Sequence, residues 1–129
     1  MKRLYLLLTS VVLLSSYTLL SDIDNVVNAL KNGDVAQIAK SFDDKVQLTM
    51  PDKTNSYTRA QAEIVLKTFF DAHPVTGFVI VHKGANDGSE YCIGTLQTKN
   101  GIFRTTVFMK QKGSVEVLQE MKIETIISV

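Results

Sequence analysis

Tyr91-Cys92-Ile93-Gly94-Thr95-Leu96-Gln97-Thr98, then Lys99-Asn100-Gly101-Ile102, then Phe103-Arg104-Thr105-Thr106-Val107-Phe108-Met109-Lys110 is the stretch that decides the fold. Two runs rich in β-branched and aromatic residues flank an Asn-Gly pair. That pair tolerates the left-handed conformations of a two-residue type I′ hairpin turn. Upstream, Phe78 to Lys83 reads as another strand and Gly84-Ala85-Asn86-Asp87-Gly88 as its loop. Downstream, Gln111-Lys112-Gly113 suits a three-residue loop with Gly113 left-handed, and Val115 to Ile126 a long further strand. The expectation is an antiparallel meander.

The turns predict the register. The Asn100-Gly101 turn sets Lys99 opposite Ile102 and Leu96 opposite Thr105. The Gly113 loop sets Lys110 opposite Ser114, Val107 opposite Val117 and Arg104 opposite Glu120. One face then carries Cys92, Leu96, Phe103, Thr105, Val107 and, on the last strand, Val115, Val117, Gln119, Met121 and Ile123. The other mixes charges with large apolar groups, in Ile93, Arg104, Phe108, Leu118 and Glu120. A contiguous apolar patch there would serve a homodimer, and scattered residues would be tolerated by a monomer.

Upstream of the strands the period is 3.6. Ser21 or Asp22 can cap a helix whose stripe is Ile23, Val26, Val27 and Leu30, stopped by Asn32-Gly33. Asp34 with Gln37 opens a second helix, its stripe Val35, Ile38, Ala39 and Phe42, with Asp43-Asp44 ending it. Val46, Leu48 and Met50 alternate as a strand closed by Pro51-Asp52. Thr58 with Gln61 is another capping box, opening the longest helix, which runs to about His73 before Pro74 stops it. Helices on one face of a sheet make an α+β domain.

The N-terminus reads as an address. Met1-Lys2-Arg3 precedes a short apolar run from Leu4 to Leu14 and small or polar residues to Ser21, the layout of a secretory signal. Residues 1–21 are therefore expected to be a signal peptide, cut after Ser21 or after Thr18, and residues 22–129 the domain. The run is too short for a permanent membrane anchor, so the mature chain is expected in the periplasm or outside the cell. Fourteen basic and thirteen acidic residues leave +1, and losing Lys2 and Arg3 leaves 12 against 13, or −1. Neither value draws nucleic acid or an anionic membrane. One cysteine and two histidines supply no multi-ligand metal site, and no cofactor is expected. Cys92, inside a strand, reads as a buried thiol.

The order helix, helix, strand, long helix, meander resembles the NTF2-like, or cystatin-like, cone. The resemblance is carried by Gly33-Asp34 between the paired helices with Ser41-Phe42 and Val46-Gln47-Leu48-Thr49 after them. It is carried also by Tyr57-Thr58-Arg59-Ala60-Gln61-Ala62-Glu63 leading to Phe69-Phe70-Asp71-Ala72-His73-Pro74, and by Tyr91 to Leu96 with Asn100 to Arg104. It extends to a family of small exported bacterial NTF2-like domains of unknown function, and covers residues 22 to about 126. It implies three N-terminal helices on a curved antiparallel sheet and assigns no functional residue.

Enzymes of the wider superfamily place an acid–base constellation inside the cone; the expected inner face here offers no carboxylate except Glu90 near a strand end. His82 beside Glu90 across the Gly84–Gly88 loop is the weak candidate for a general base, close to Tyr57 or Gln119, in a lyase- or isomerase-like reading. His73 ends a helix, where a cation suits the dipole. Phe42, Tyr57, Phe69, Phe103, Thr105 and Gln119 are the candidate lining for a small apolar ligand, or simply core. The leading expectation is a binding or interaction module rather than an enzyme.

Overall fold

The structure, a computed structural model, describes residues 22–126. The expected signal segment with Ser21, and residues 127–129, lie outside the described residues.

Helix α1 (Asp22–Asn32) buries Ile23, Val26, Val27 and Leu30, the stripe its spacing predicts. Gly33 stops it at φ 64°, a left-handed conformation in which a side chain is strained. Helix α2 (Val35–Ala39) starts at Asp34, whose carboxylate accepts the Gln37 N–H at 3.1 Å. It is shorter than the apolar stripe suggests. Phe42 and the Asp43-Asp44 pair belong to strand β1 (Phe42–Met50), not to the helix and its turn. Two adjacent carboxylates would oppose the dipole at a helix C-terminus, and Phe42 gains a strand partner in Leu118 instead.

Strand β2 (Lys53–Thr58) returns antiparallel to β1, with Met50 opposite Lys53 across Pro51-Asp52. The capping box forms as expected, Gln61 N–H to Thr58 Oγ1 at 3.3 Å and Thr58 N–H to Gln61 Oε1 at 3.1 Å. It opens helix α3 (Arg59–Ala72), which buries Ala62, Leu66 and Phe70. Strands β3 (Val75–Asn86), β4 (Ser89–Thr98), β5 (Gly101–Lys112) and β6 (Val115–Thr125) follow.

The six strands lie in the order β2-β1-β6-β5-β4-β3. Strands β3 to β6 are the expected meander, but β1 runs parallel to β6, so the sheet is mixed rather than antiparallel. Nor are the three helices all N-terminal to the sheet, since α3 follows the β1–β2 hairpin. Helix α1 packs over β3 and β4, and α3 over β1 and β2. Between them lie Phe42, Leu48, Leu66, Leu96, Met109 and Met121, all but Phe42 at 0% exposure. Burial of each such side chain stabilises the fold by about 1.5–3 kcal/mol.

The register departs from the turn-based expectation in two places. The β4–β5 turn is Lys99-Asn100, with Thr98 opposite Gly101 and Leu96 opposite Phe103. Only Gly101 carries a positive φ there, 142°, so the turn is not type I′. The Asn100 amide donates instead to the Ala72 carbonyl at the end of α3, at 2.8 Å. Strand faces are preserved because the shift is even. The β5–β6 turn is the two residues Gly113-Ser114, and β6 carries a bulge between Leu118 and Glu120. That bulge changes the facing of β6 (Lys110 opposite Val117, Met109 opposite Leu118, then Phe108 opposite Glu120). Arg104 therefore faces Glu124, not Glu120. Strict alternation would have pushed the Gln119 amide into the apolar layer. The bulge puts Leu118 there, fully buried, and leaves Val115 exposed.

Gly94 stands in the middle of β4. It pairs with Ile80, and the β3 bulge lies directly after that pair, at Val81. A Cβ on Gly94 would stand 2.7 Å from the Val79 carbonyl oxygen and run into the Phe78 ring. Gly94→Ala is expected to cost about 1–3 kcal/mol, the usual penalty for overpacking, read as a lower urea midpoint at unchanged slope; an unaltered midpoint would show that the strand gives way freely. Thr105, opposite Gly94 and Ile123, is fully buried with a hydroxyl that has no hydrogen-bond partner. Thr105→Val, which removes that orphan group, should hold or raise the melting temperature; a drop would mean the hydroxyl has a partner in solution.

Candidate functional site

The C-terminal end of α3 is fixed to the β4–β5 turn from two directions. Asn100 Nδ2 donates to the Ala72 carbonyl at 2.8 Å, and the Lys99 N–H donates to the Pro74 carbonyl at 2.9 Å. Helix C-termini leave carbonyls without intrahelical donors, and here a hairpin supplies one. Pro74 lacks an N–H and ends the helix, so His73 becomes the cap residue at φ −132°.

This anchoring brings three rings together. His73 stacks on Phe69 with centroids 4.2 Å apart and planes at 15°. Phe103, from the start of β5, meets Phe69 edge-on at 5.2 Å and His73 edge-on at 5.3 Å. His73 Nδ1 lies 3.0 Å from the Phe69 carbonyl. A carbonyl only accepts, so Nδ1 carries the proton and Nε2 is left as the ring's other polar atom.

The rings form one wall of a groove of about 550 Å³. Ile64, Val65 and Thr68 of α3, Met50, Pro51, Asp52 and Lys53 around the β1–β2 turn, and Thr125 complete its lining. The lining is mostly apolar, with an imidazole, an ammonium and a carboxylate at its edges. A concave apolar surface of this volume with few polar groups is the usual form of a small-molecule site. Ile64 is 66% exposed on its rim.

Of the candidate lining residues, the structure brings Phe69 and Phe103 into this groove. Tyr57 lines a neighbouring hollow, which shares Ile64 and Val65 with the groove. Phe42 and Thr105 are core residues. Gln119 sits at the β6 bulge and donates to Asp43 Oδ2 at 3.2 Å. His82 is not in the groove: it is exposed in β3 and shares a hydrogen bond of 2.7 Å between its Nε2 and the Tyr91 hydroxyl. It pairs with Ile93, not Glu90, which lies opposite Ala85. The histidine at the groove is His73, which the sequence presents only as a helix end.

A buried carboxylate that strand prediction missed stands elsewhere. Asp43 receives Lys112 Nζ at 2.7 Å, Gln119 Nε2 at 3.2 Å and the Asp44 N–H at 2.8 Å. The Lys112 hydrogen bond, with help from the other donors, holds its carboxyl below the usual range. With every donor supplied by β1, β5 and β6, Asp43 is a structural tie across the parallel junction. Cys92 is fully buried, and burial pushes its thiol up, away from reactivity. Among the described residues no three His, Cys, Asp or Glu side chains gather as a metal site, and no helix is long and apolar enough to cross a membrane.

At the opposite end of the sheet a shallow hollow is lined by Ala85 to Glu90 and by Glu116. Glu116 is pushed up from 4.5 to about 7, first by burial, then by the hydrogen bond and charge of Glu90, and by Asp22. A carboxyl raised in the folded state contributes stability that is complete below its unfolded value and is lost as pH rises through the folded one. Thermal melting should therefore weaken between pH 4.5 and 7. Glu116→Gln should melt higher than the parent at pH 8 and level with it at pH 4; equal differences at both would show that the pair does not titrate this way.

The comparisons with other proteins agree with this fold. No curated protein matches the chain. The chain is similar to a crystallised DUF4783 family protein from Bacteroides ovatus ATCC 8483, 31% identical, over 81% of this chain and 94% of that one, with a TM-score of 0.77. It is similar also to one from Bacteroides uniformis ATCC 8492, 30% identical, over 81% and 97%, with a TM-score of 0.78. An NTF2-like protein from Cytophaga hutchinsonii ATCC 33406 shares the fold at 11% identity, over 81% and 93%, with a TM-score of 0.61. The model of the family described as Domain of unknown function (DUF4783) matches residues 23–124. The chain belongs to the DUF4783 family and has an NTF2-like fold.

Proposed function

We propose that this chain is an exported binding module whose site is the groove between α3 and the β1–β2 turn. Its ligand is a small, mainly apolar molecule bearing a ring and one polar group. The observation that carries this reading is the His73–Phe69–Phe103 cluster: two ring faces and edges offer stacking surface, and the protonated Nδ1 leaves Nε2 to take a hydrogen bond. Lys53 in the lining can pair with an anionic polar end, and the neighbouring Asp52 restricts where that end sits. The export part rests on the Lys2-Arg3 start and the apolar run after it.

The interior supports a module over the lyase- or isomerase-like alternative. The space between helices and sheet is filled by side chains, and the groove lies at its rim. His82, the base that alternative requires, is engaged with Tyr91 on a strand face shared with Ile93 and Thr106.

The test is titration of residues 22–129 with 1-anilinonaphthalene-8-sulfonate, an aromatic probe with one anionic group. A span equal to 81% of this chain makes up 94% of the related crystallised protein, which supports using this part alone. One saturable site is expected. Phe69→Ala and Ile64→Asp should each weaken it by about tenfold, some 1.4 kcal/mol, and His73→Ala should weaken it too. Binding indifferent to Ile64→Asp, whose side chain is mostly solvated and not needed for folding, would place the ligand elsewhere.

A further inference from the structure

The two edges of the sheet differ in a way that neither the fold nor the groove requires. Strand β2, at one edge, reads Lys53-Thr54-Asn55-Ser56-Tyr57-Thr58, a polar edge of the kind that discourages pairing with other chains. Strand β3, at the other, is 12 residues long. It presents three consecutive apolar side chains to solvent: Val79 at 54%, Ile80 at 38% and Val81 at 69% exposure. Val81 is the extra residue of the β3 bulge, so β4 gives it no partner opposite. Among the described residues no strand pairs with this edge, and a long apolar edge is an aggregation hazard unless it is covered.

We propose that β3 is a self-association strand, pairing antiparallel with β3 of a second copy of this chain. The charge pattern selects that occupant. Lys83 is the one lysine, arginine or carboxylate residue of β3, and its ammonium is already paired with Asp24 of α1 at 2.9 Å. The edge thus offers no free charge to recognise an acidic or basic peptide. A two-fold axis at Ile80 sets Val79 against Val81 of the second copy and Val81 against its Val79, and Ile80 against its counterpart. The same axis puts Lys83 opposite Gly77 and keeps the two Lys83 residues apart. The apolar triplet is therefore self-complementary, and two-fold pairing is the commonest closed form of homo-oligomer. Three side chains a copy make a small interface, so the dimer is one that dissociates on dilution.

This surface differs from the sheet face the sequence suggested. Leu118, expected on that face, is buried in the core, and Ile93 and Phe108 are half-buried among polar neighbours. Of the seven exposed large apolar side chains among the described residues, Val79, Ile80 and Val81 are the three that are consecutive, and they lie on this edge strand.

Light scattering coupled to size exclusion on residues 22–129, over micromolar to millimolar loading, tests the proposal. A concentration-dependent shift from monomer to dimer is expected. Val81→Lys, at a solvated bulge position, should weaken dimerisation by at least about tenfold with an unchanged circular dichroism spectrum and melting temperature. In hydrogen exchange, amides of Val79–His82 should slow with rising concentration while those of β2 do not. A monomer at all concentrations overturns the proposal, as does a dimer that survives Val81→Lys. A dimer lost instead on Ile93→Lys assigns association to the sheet face and overturns it equally.

Discussion

The hydrogen bond from Asn100 Nδ2 to the Ala72 carbonyl joins the end of a helix to the tip of a hairpin, and the groove depends on it. Helix α3 crosses the sheet with Ala62, Leu66 and Phe70 beneath it, which fixes its height but not where along the sheet it stops. The hairpin fixes the stop. Because Lys99 also donates to the Pro74 carbonyl, the chain leaves the helix at one point and enters β3 in one direction. Phe69 and His73, one turn apart on α3, then stand over Phe103 with their ring geometry set by the backbone rather than by the rings alone.

A second constraint acts at the other end of the sheet. Strand β1 joins β6 in parallel through an irregular stretch between Phe42 and Gln47, and β6 answers with its own bulge at Gln119. Two irregular strands side by side would leave polar groups without partners. Asp43 meets this need, taking Lys112, Gln119 and its neighbour's N–H at once. Its low carboxyl pKa is the electrostatic trace of those three donors. The bulge in turn sends Leu118 inward, so one carboxylate at a strand junction decides which side chains the last strand contributes to the core.

Local chemistry made much of this legible from sequence. The Thr58–Gln61 box, the Gly33 stop and the stripe from Ile23 to Leu30 concern neighbours within a turn or two, and all formed. The four strands of the meander were legible from β-branched and aromatic runs between turn signals, but Gly84, Ala85 and Asn86, expected in a loop, continue β3 by pairing with Tyr91, Glu90 and Ser89. What failed was decided by distant partners. Phe42 fits a helical stripe until Leu118 offers a ladder position 76 residues away. Asn100-Gly101 is a type I′ signal only while the Asn100 side chain is free, and Ala72 claims it. Gln119 counted as an inward residue until the bulge was known. His73 carries no local mark of a site at all, since its value comes from Phe103, which is distant in sequence.

The two histidines are held in different surroundings. Each is held by one hydrogen bond. His82 spends its Nε2 on an exposed tyrosine of the neighbouring strand, which leaves it on a strand flank beside solvent. His73 spends its Nδ1 on the carbonyl of the residue it stacks upon, which keeps the ring in place and leaves Nε2 uncommitted at an apolar wall. Among the described residues Leu48, Leu66, Leu96 and Met121 fill the centre between the layers, each fully buried. The groove lies where a layer ends, since α3 gives way at its cap residue His73. The closing of the core and the opening of the groove thus have the same cause: a helix long enough to cover the sheet's middle and cut short, by Pro74, at its rim.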